Sequence, residues 1–282
     1  MIRGRSSIDL DRSRFDDLHD RPDPRAYVHR LVRLSYETPH HAQRVVRATI
    51  AERASAHGGG PFTLLDLCCS YGINAALLNH HVTLAELYEH WTHPDAQTLT
   101  PAELVRRDRE FFALRRRSDV VPVVGVDIAG NAVRYAQAVG LLDETYTENL
   151  ECCPPSRHLR RAMTATGLIT VTAGIGHVTW RSFETLLRCA DIPVWVSALV
   201  PRTVAYRPVA DRLARHGLVT RADPGRTYPR RLFTGPAEQR RAVERALRGG
   251  HDPSGLETRG RCHTHLHQSR PATAWAHIGT KS

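Results

Sequence analysis

Two acidic residues, each placed at the end of an apolar segment, are the residues of this chain best suited to bind a ligand. Asp66 follows the apolar and β-branched residues 62–65, and Asp127 ends the apolar run 120–126. An acid at the second position can accept hydrogen bonds from both hydroxyls of a ribose. Asp66 would repel a pyrophosphate, but it could hold backbone amides of the following turn or an ammonium group. The pair therefore predicts a site for a nucleoside that carries a cationic amino-acid group.

The turn after Asp66 is poor in glycine, which argues against a phosphate-binding loop. A dinucleotide fingerprint uses glycines to bring the backbone close to a pyrophosphate. Here Cys68 and Ser70 stand in the first two small-residue positions, and only the third, Gly72, is a glycine. Small side chains still allow the backbone of the turn to approach a ligand. The pattern argues against NAD and favours an adenosine without a pyrophosphate.

The elements that must position these residues alternate between strands and helices from residue 62 onward. Such alternation is typical of a parallel sheet covered by helices on both faces. The predicted strands are 62–67, 120–127, 144–150, 168–172, 193–200, 227–234 and 261–269. The predicted helices between them are 73–78, 131–139, 159–165, 180–189, 208–216 and 237–248. We predict an α/β fold with a doubly wound, mostly parallel seven-stranded Rossmann-like sheet.

Two helical regions flank the first strand. Residues 1–58 are predicted to form an N-terminal arm and a helical cap, with helices at 24–37 and 41–56. Residues 59–282 then form the Rossmann-like domain. Within it, residues 81–118 exceed what a strand–helix–strand crossover needs, so they predict an inserted helical hairpin. Its second helix is predicted to have Thr100 as N-cap and Pro101 at the first helical position. Long insertions near strand ends usually serve as lids or substrate walls.

Four segments, in this order, resemble the motifs of class I S-adenosylmethionine (SAM) dependent methyltransferases. Residues 64–72 are similar to the first motif, and residues 125–128 to the acidic second motif. Residues 148–151 occupy the place that flanks the adenine, and residues 172–177 the place where strand four opens onto the reacting methyl group. The resemblance covers about residues 60–235 and implies SAM as the cosubstrate. The cofactor-binding residues that it implies are Asp66, Cys68, Ser70, Gly72, Asp127, Ile128, Asn149, Leu150 and Ala173.

Two reactions of SAM are compatible with these motifs. Methyl transfer to a small metabolite, the first expectation, needs an acceptor in line with the S–CH3 bond and often a base. The glycine-poor turn and the inserted hairpin also resemble azetidine-2-carboxylate synthases, which cyclise SAM to azetidine-2-carboxylic acid and release methylthioadenosine. That alternative needs a neutral α-amine and aromatic rings around the sulfonium. A SAM-binding protein without turnover and a nucleic-acid methyltransferase are two less favoured hypotheses.

Four residues are candidates for the chemistry itself. His177 titrates in the range of a general base. Tyr71 and Tyr36 could shield a sulfonium through cation–π contact. Ser197, on the fifth strand, is a candidate to line the site, and Arg202, just beyond that strand, could meet a carboxylate.

A row of histidines on the last strand is the other pattern that could bind a ligand. His263, His265 and His267 alternate, so their side chains share one face of the strand. Three imidazoles could bind zinc or nickel. Because no carboxylate or cysteine has a compatible spacing, we predict a solvated strand face and no metal site.

The composition limits the partners and the compartment. The chain has 282 residues, 41% of them hydrophobic, and a formal net charge of +10. Lys281 is the only lysine, and this preference for arginine indicates a GC-rich genome at least as much as a nucleic-acid surface. The six cysteines form no C-x-x-C pattern, no apolar run has membrane length, and no apolar signal segment begins the chain. We predict a cytoplasmic protein, outside the membrane, that acts on a small molecule rather than nucleic acid and could form a homodimer.

Overall fold

Eight strands form one mixed sheet in the residues that the structure describes. The structure is a computed structural model, and it describes residues 18–172, 174–223 and 225–276. The strands are β1 (Thr63–Leu67), β2 (Val123–Asp127), β3 (Glu144–Thr147), β4 (Thr166–Thr172), β5 (Trp195–Pro201), β6 (Leu218–Ala222), β7 (Tyr228–Leu232) and β8 (Arg261–Pro271). Their order across the sheet is β3-β2-β1-β4-β5-β8-β6, and β7 also pairs with β8. The predicted α/β class and doubly wound Rossmann-like sheet are confirmed.

The last three strands distinguish this sheet from a purely parallel one. Strands β1 to β5 pair in parallel, whereas β8 runs antiparallel to β5, β6 and β7. The prediction of seven strands was wrong because β6, residues Leu218–Ala222, was missed. This strand ends the sheet and exposes most of its side chains, so it lacks the apolar run by which the buried strands were found.

Helices cover both faces of the sheet, in agreement with the doubly wound prediction. The cap and insertion helices pack with α3 and α7 on one face, and α8 to α10 pack on the other. Within the described ranges, no helix is both long enough and apolar enough to cross a membrane. The helices are α1 (Arg25–Arg33), α2 (Thr38–Ala56), α3 (Ile73–Asn79), α4 (Leu84–Thr92), α5 (Pro94–Thr98), α6 (Pro101–Ala113), α7 (Gly130–Ala138), α8 (Arg157–Thr164), α9 (Trp180–Leu187), α10 (Arg207–Ala214), α11 (Pro236–Arg248) and α12 (Ala272–Ala276).

The alternation of side chains along β1 decides which face receives Asp66. Leu65 and Leu67 belong to the core under α8 to α10, whereas Leu64 belongs to the core on the cap side. Asp66 lies between Leu65 and Leu67, so its side chain points with Leu64 toward the cap. Helix α2 packs against α3 and across β4, β5 and β7 on this face. The cap therefore covers the face of the sheet on which Asp66 lies.

The insertion after α3 contains three helical segments instead of the two of the predicted hairpin. Helix α5 is a short addition between α4 and α6. Both longer helices begin with a capping box, in which Thr83 pairs with Glu86 and Thr100 with Glu103. Thr100 was predicted as an N-cap, with Pro101 as the first helical residue, and the structure confirms both.

A buried carboxylate ties the insertion together and to α7. Asp108 is completely buried and accepts hydrogen bonds from Trp91 Nε1 at 2.9 Å and from the hydroxyl of Tyr135. His90 Nε2 lies 2.7 Å from the same carboxylate. Burial opposes ionisation of Asp108, but hydrogen bonds from His90, Tyr135 and Trp91 outweigh it and lower the pKa of this carboxyl. The network joins α4, α6 and α7 at one point.

Candidate functional site

The turn between β1 and α3 has a strained backbone. Cys68, Ser70 and Gly72 all have positive φ angles, at 65°, 48° and 77°. Non-glycine residues rarely adopt this left-handed conformation, and such outliers concentrate at functional sites. The conformation turns the amide of Ser70 toward Asp127, whose Oδ2 accepts its hydrogen bond at 2.9 Å. Asp127 Oδ1 also accepts from the amide of Ala129 at 3.0 Å, so one carboxylate holds two loops.

Close packing explains why small residues occupy this turn. A Cβ atom at Gly72 would lie 3.1 Å from the Cβ of Ala136, and one at Gly174 would lie 2.8 Å from the Cβ and Sγ of Cys68. The side chain of Cys68 is thus packed against the segment after β4. Burial raises the pKa of Cys68 well above its usual value, so the thiol stays neutral and unreactive.

Asp66 is a buried carboxyl with an unusual set of neighbours. It is 1% exposed and accepts hydrogen bonds from Thr170 Oγ1 at 2.9 Å and Asn74 Nδ2 at 3.2 Å. Burial raises the pKa of Asp66 to about 6, although the two hydrogen bonds act in the opposite direction. Asn74 Oδ1 is buried and has no hydrogen-bond partner among the described residues. An acidic group beside a free acceptor suits an ammonium group, which brings three donors.

A small cavity, with a volume of about 10 Å³ and thus room for about one water-sized group, adjoins Asp66 under the cap. Its polar wall is formed by Asp66, Asn74, Thr170 and Thr172, which lie toward the carboxyl ends of β1 and β4 and at the start of α3. Helix α2 closes the cavity on the opposite side. In open α/β sheets, ligands bind in the crevice at the carboxyl ends of the strands.

Two tyrosines from the cap lie near the acidic pair. Tyr27 on α1 is 8% exposed, and burial is the main cause that raises its pKa, with a further contribution from the charge of Asp127. Burial also raises the pKa of Tyr36, and the charge of Asp66 acts in the same direction. The hydroxyl of Tyr88, from the insertion, donates to the carbonyl of Tyr36 at 2.8 Å. Cap and insertion thus place aromatic rings in the environment of the two acids.

The four predicted catalytic residues lie in different places. Tyr36 lies in the aromatic region described above, and Ser197 is buried on β5, in register with Thr170 beside Asp66. Tyr71 is completely buried, and its hydroxyl exchanges two hydrogen bonds of 2.9 Å with the backbone of Arg21. His177 is exposed in the turn after β4. The structure therefore brings Tyr36 and Ser197 toward Asp66, whereas Tyr71 fastens the N-terminal segment.

The other residues predicted to bind the cofactor follow β2, β3 and β4. Ile128, directly after Asp127, is an apolar side chain that is 68% exposed, which leaves it free to pack against a ring. Leu150 is buried, and exposed Asn149 accepts a hydrogen bond from the amide of Glu151 at 3.1 Å. Ala173, the remaining predicted contact, lies outside the described residues.

The sequence analysis did not single out Tyr27, Asn74 or Thr170, which the structure places around the two acids. Tyr27 could have been found because it is an aromatic residue on the inward face of α1. Asn74 could have been found because it lies in the first turn of α3, directly after the binding turn. Thr170 stands 104 positions from Asp66, and only the pairing of β1 with β4 brings them together.

The histidines of β8 are not on a solvated face, so that prediction was wrong. His265 is 6% exposed, and the ring of His267 stacks on Tyr206 with 4.3 Å between centroids. Burial lowers the pKa of His263 and of His267 to about 4, so both are neutral near pH 7. No group of three or more His, Cys, Asp or Glu residues has metal-binding geometry in the described part of the chain.

Arg202, predicted to meet a carboxylate, is occupied within the protein. Its Nη1 lies 3.1 Å from Glu257 Oε2, and both side chains are almost completely buried. Its Nη2 donates to the carbonyl of Asp252 at 2.7 Å. The partner of this arginine is therefore an internal carboxylate.

The strand order and the antiparallel β8 define a mixed Rossmann-like sheet, in agreement with the fold class predicted from the sequence. No family model and no curated protein matches the chain. Among solved structures, it is similar to magnesium protoporphyrin IX methyltransferase from Synechocystis PCC 6803 with bound SAM, at 13% identity and a TM-score of 0.41, over 96% of this chain and 100% of that one.

Two further solved structures are similar at the same level. The plantazolicin methyltransferase BamL, in complex with a triazolic desmethylPZN analog and SAH, has 10% identity and a TM-score of 0.46, over 92% of this chain and 91% of that one. The [4+2]-cyclase SpnF has 11% identity and a TM-score of 0.39, over 82% of this chain and 81% of that one. Similarities this low carry no argument about the site or the reaction.

Proposed function

We propose that this protein binds SAM at the carboxyl ends of β1, β2 and β4 and transfers its methyl group to a small metabolite. The observation that carries the proposal is the pair Asp66 and Asp127 around a strained turn of small residues. This arrangement offers hydrogen-bond acceptors for a ribose and for an ammonium group. A pyrophosphate would need positive charge at the same place, and the two carboxyls would repel it.

The described residues fit the parts of SAM. Asp127 is half-buried, and its carboxylate has lone pairs left after accepting two backbone hydrogen bonds, so it can accept from ribose hydroxyls. Ile128 provides an exposed apolar surface for the adenine, and Asn149 and Leu150 follow β3 on the same side.

The amino-acid end of SAM is assigned to the buried side of the site. Asp66 and the free Oδ1 of Asn74 accept from the ammonium group, while Tyr27 and Tyr36 face the sulfonium. Bound SAM supplies an electrophilic methyl group, and the residues of this chain orient it and exclude water.

Cyclisation of SAM is the second candidate, and one observation favours it. Asp66 has a pKa of about 6 and lies where the ammonium group is proposed to bind. A carboxyl with a raised pKa in this position is suited to accept a proton from the amine, which cyclisation requires and methyl transfer does not. His177, the predicted general base for either reaction, lies on the exposed surface.

One incubation separates the candidates. The purified protein is incubated with SAM alone and with pools of small metabolites, and the products are analysed by mass spectrometry. S-adenosylhomocysteine that forms only with an added acceptor indicates methyl transfer. Methylthioadenosine with a four-carbon amino acid, formed from SAM alone, indicates cyclisation.

Two more outcomes of the same incubation would each indicate a different function. SAM binding without any product would indicate a binding protein, and turnover only with added RNA or DNA would indicate a nucleic-acid methyltransferase. A protein that does not bind SAM in calorimetry would overturn the proposal.

A further inference from the structure

Arg230 is placed by an irregularity in the sheet. Strand β7 pairs with β8 so that Pro229 lies opposite His263 and Arg231 lies opposite Cys262. Two consecutive residues of β8 therefore face two residues of β7 that are separated by Arg230, which is the extra residue of a β-bulge. Bulges of this kind redirect a side chain and are common next to active sites.

The bulge directs Arg230 toward the aromatic region of the cap. Its carbonyl accepts a hydrogen bond of 2.8 Å from the amide of Glu37, which directly follows Tyr36. The positive charge of Arg230 opposes the rise in the pKa of Tyr36 that burial causes, and it acts in the same way on Tyr27. The guanidinium thus shares an environment with the tyrosines that lie near Asp66.

The guanidinium of Arg230 has no carboxylate partner among the described residues, unlike those of two neighbouring arginines. Its Nε is buried without a hydrogen-bond partner, and no carboxylate among the described residues forms an ion pair with it. By contrast, Arg231 is paired with Glu238, and Arg261 is paired with Glu37. A half-buried cation with a free planar donor set matches a carboxylate, which it can bind in a bidentate manner.

We propose that Arg230 binds the amino-acid carboxylate of SAM, and this inference rests on the proposed function. Asp66 and Asn74 receive the ammonium group, so the unpaired cation at the bulge completes a site for the two opposite charges of an amino-acid zwitterion. Arg230 thereby positions the α-amino-acid arm and makes the site selective for nucleosides that retain the carboxylate.

The test compares ligands that differ only in this group. Calorimetric affinities are measured for SAM, decarboxylated SAM and methylthioadenosine with the wild-type protein, Arg230→Gln and Arg230→Lys. We expect Arg230→Gln to weaken SAM binding about 10- to 100-fold, the range of a charge-assisted hydrogen bond, and to leave the affinities for the other two ligands unchanged. Arg230→Lys should retain part of the preference for SAM over the two ligands without a carboxylate. It keeps the positive charge, but it loses the planar donor set.

The controls separate this inference from the proposed function. Arg207→Gln changes an arginine that is 89% exposed on α10 and should leave all three affinities unchanged. Unaltered binding of methylthioadenosine to Arg230→Gln shows that the variant is folded with an intact site. Equal SAM affinity in the wild type and Arg230→Gln would overturn the assignment of Arg230 alone, whereas a wild-type protein that binds none of the ligands would overturn the proposed function.

Discussion

Asp66 and Asp127 lie at the ends of neighbouring parallel strands, but their environments differ. Asp127 is half-buried and holds the amides of Ser70 and Ala129. Asp66 is buried and is contacted by two neutral side chains, with no cation to offset the loss of solvent. A half-buried carboxylate such as Asp127 is suited to neutral hydroxyls, and a buried one such as Asp66 is suited to a cation that stabilises its charged form.

Replacing Asp127 tests the ribose contact. We expect Asp127→Asn to weaken the binding of both SAM and methylthioadenosine about 10- to 100-fold, because both ligands retain the ribose and lose charge-assisted hydrogen bonds. Asp143→Asn is the matched control, since Asp143 accepts the amide of Val123 at 2.8 Å at the opposite end of the same strand. Equal weakening by the two variants, measured by calorimetry, would mean that the effect comes from the strand and not from ligand contact.

Replacing Asp66 by asparagine should make the protein more stable but weaken its binding of SAM. The pKa of Asp66 is raised from 3.8 to about 6 in the folded protein, so its contribution to stability is full below pH 3.8 and is lost as the pH rises through 6. Asp66→Asn imitates the protonated group and should raise the free energy of unfolding at pH 8 by about 2–3 kcal/mol. The free Oδ1 of Asn74 can accept from the new amide.

The pH dependence distinguishes this effect from a general stabilisation. Denaturant unfolding of the wild type and Asp66→Asn should give converging free energies below about pH 4. The same variant should bind SAM weakly, because the ammonium group loses its charged acceptor. A variant that is less stable than the wild type at pH 8 would contradict the cause assigned to the raised pKa.

The sequence identified the acids of the site better than their partners. Asp66 and Asp127 could be predicted because each follows an apolar run, and the carboxyl ends of parallel strands lie at one edge of a sheet. Thr170 and Arg230 depend on strand register and on a bulge, neither of which leaves a local pattern in the sequence. Tyr71 was misleading because an aromatic residue in a binding turn can equally well point into the core.

At the scale of elements, Asp108 holds the inserted helices in place. Asp108→Ala would leave the Tyr135 hydroxyl buried without an acceptor and would remove the shorter of the two hydrogen bonds that Trp91 Nε1 donates, which should cost about 3 kcal/mol of unfolding free energy. Because the pKa of Asp108 is lowered in the folded protein, its contribution is present above its usual value of 3.8 and is lost as the pH falls through the lower folded value. The free energies of unfolding of the wild type and of Asp108→Ala should therefore converge at acidic pH.

Denaturant unfolding as a function of pH measures this effect. Asp95→Ala is a control within the same insertion, because the side chain of Asp95 is 88% exposed. A difference between the wild type and Asp108→Ala that does not change with pH would show that the packing of residue 108, and not its charge, is responsible.

The contact between β2 and the turn after β1 is packed too closely to accept a larger residue. A Cβ at Gly125 would lie 2.5 Å from Leu142 Cδ1 and 2.8 Å from Cys69 Sγ. Gly125→Ala should therefore cost about 1–3 kcal/mol and lower the melting temperature. Gly60→Ala, where no atom lies within 4 Å of the added group, should change the melting temperature little. Equal effects of the two substitutions would contradict this account of the turn.

Elements with a strong local signal could be predicted, and those without one could not. Capping residues and apolar periodicity indicated α6 and the buried strands. Strand β6 depends on its hydrogen bonds to β8, because its own side chains are mostly exposed. The last strand was predicted, but the burial of its histidines was not, since it depends on Tyr206 and other distant residues that cover them.

At the scale of the whole molecule, several arginines are part of the interior. Arg53 is 3% exposed and donates to the carbonyls of Gly167 at 2.8 Å and Pro193 at 3.1 Å. Arg270 is 1% exposed and lies between the rings of Trp195 and Trp275, at 4.4 and 3.9 Å from their centroids. The net charge of +10 therefore includes cations that no external partner can reach, which weakens the case for a nucleic-acid surface.

Ligand-induced stabilisation of the whole chain tests the class of ligand without knowledge of the reaction. A ligand at 100 times its dissociation constant stabilises a protein by about 2.7 kcal/mol, which corresponds to about 5–10 °C for a domain of this size. We expect SAM and S-adenosylhomocysteine to raise the melting temperature by this amount. NAD should not raise it, because its pyrophosphate would lie between Asp66 and Asp127. A shift with NAD and none with SAM would contradict the assignment of Asp66 and Asp127 to a nucleoside without a pyrophosphate.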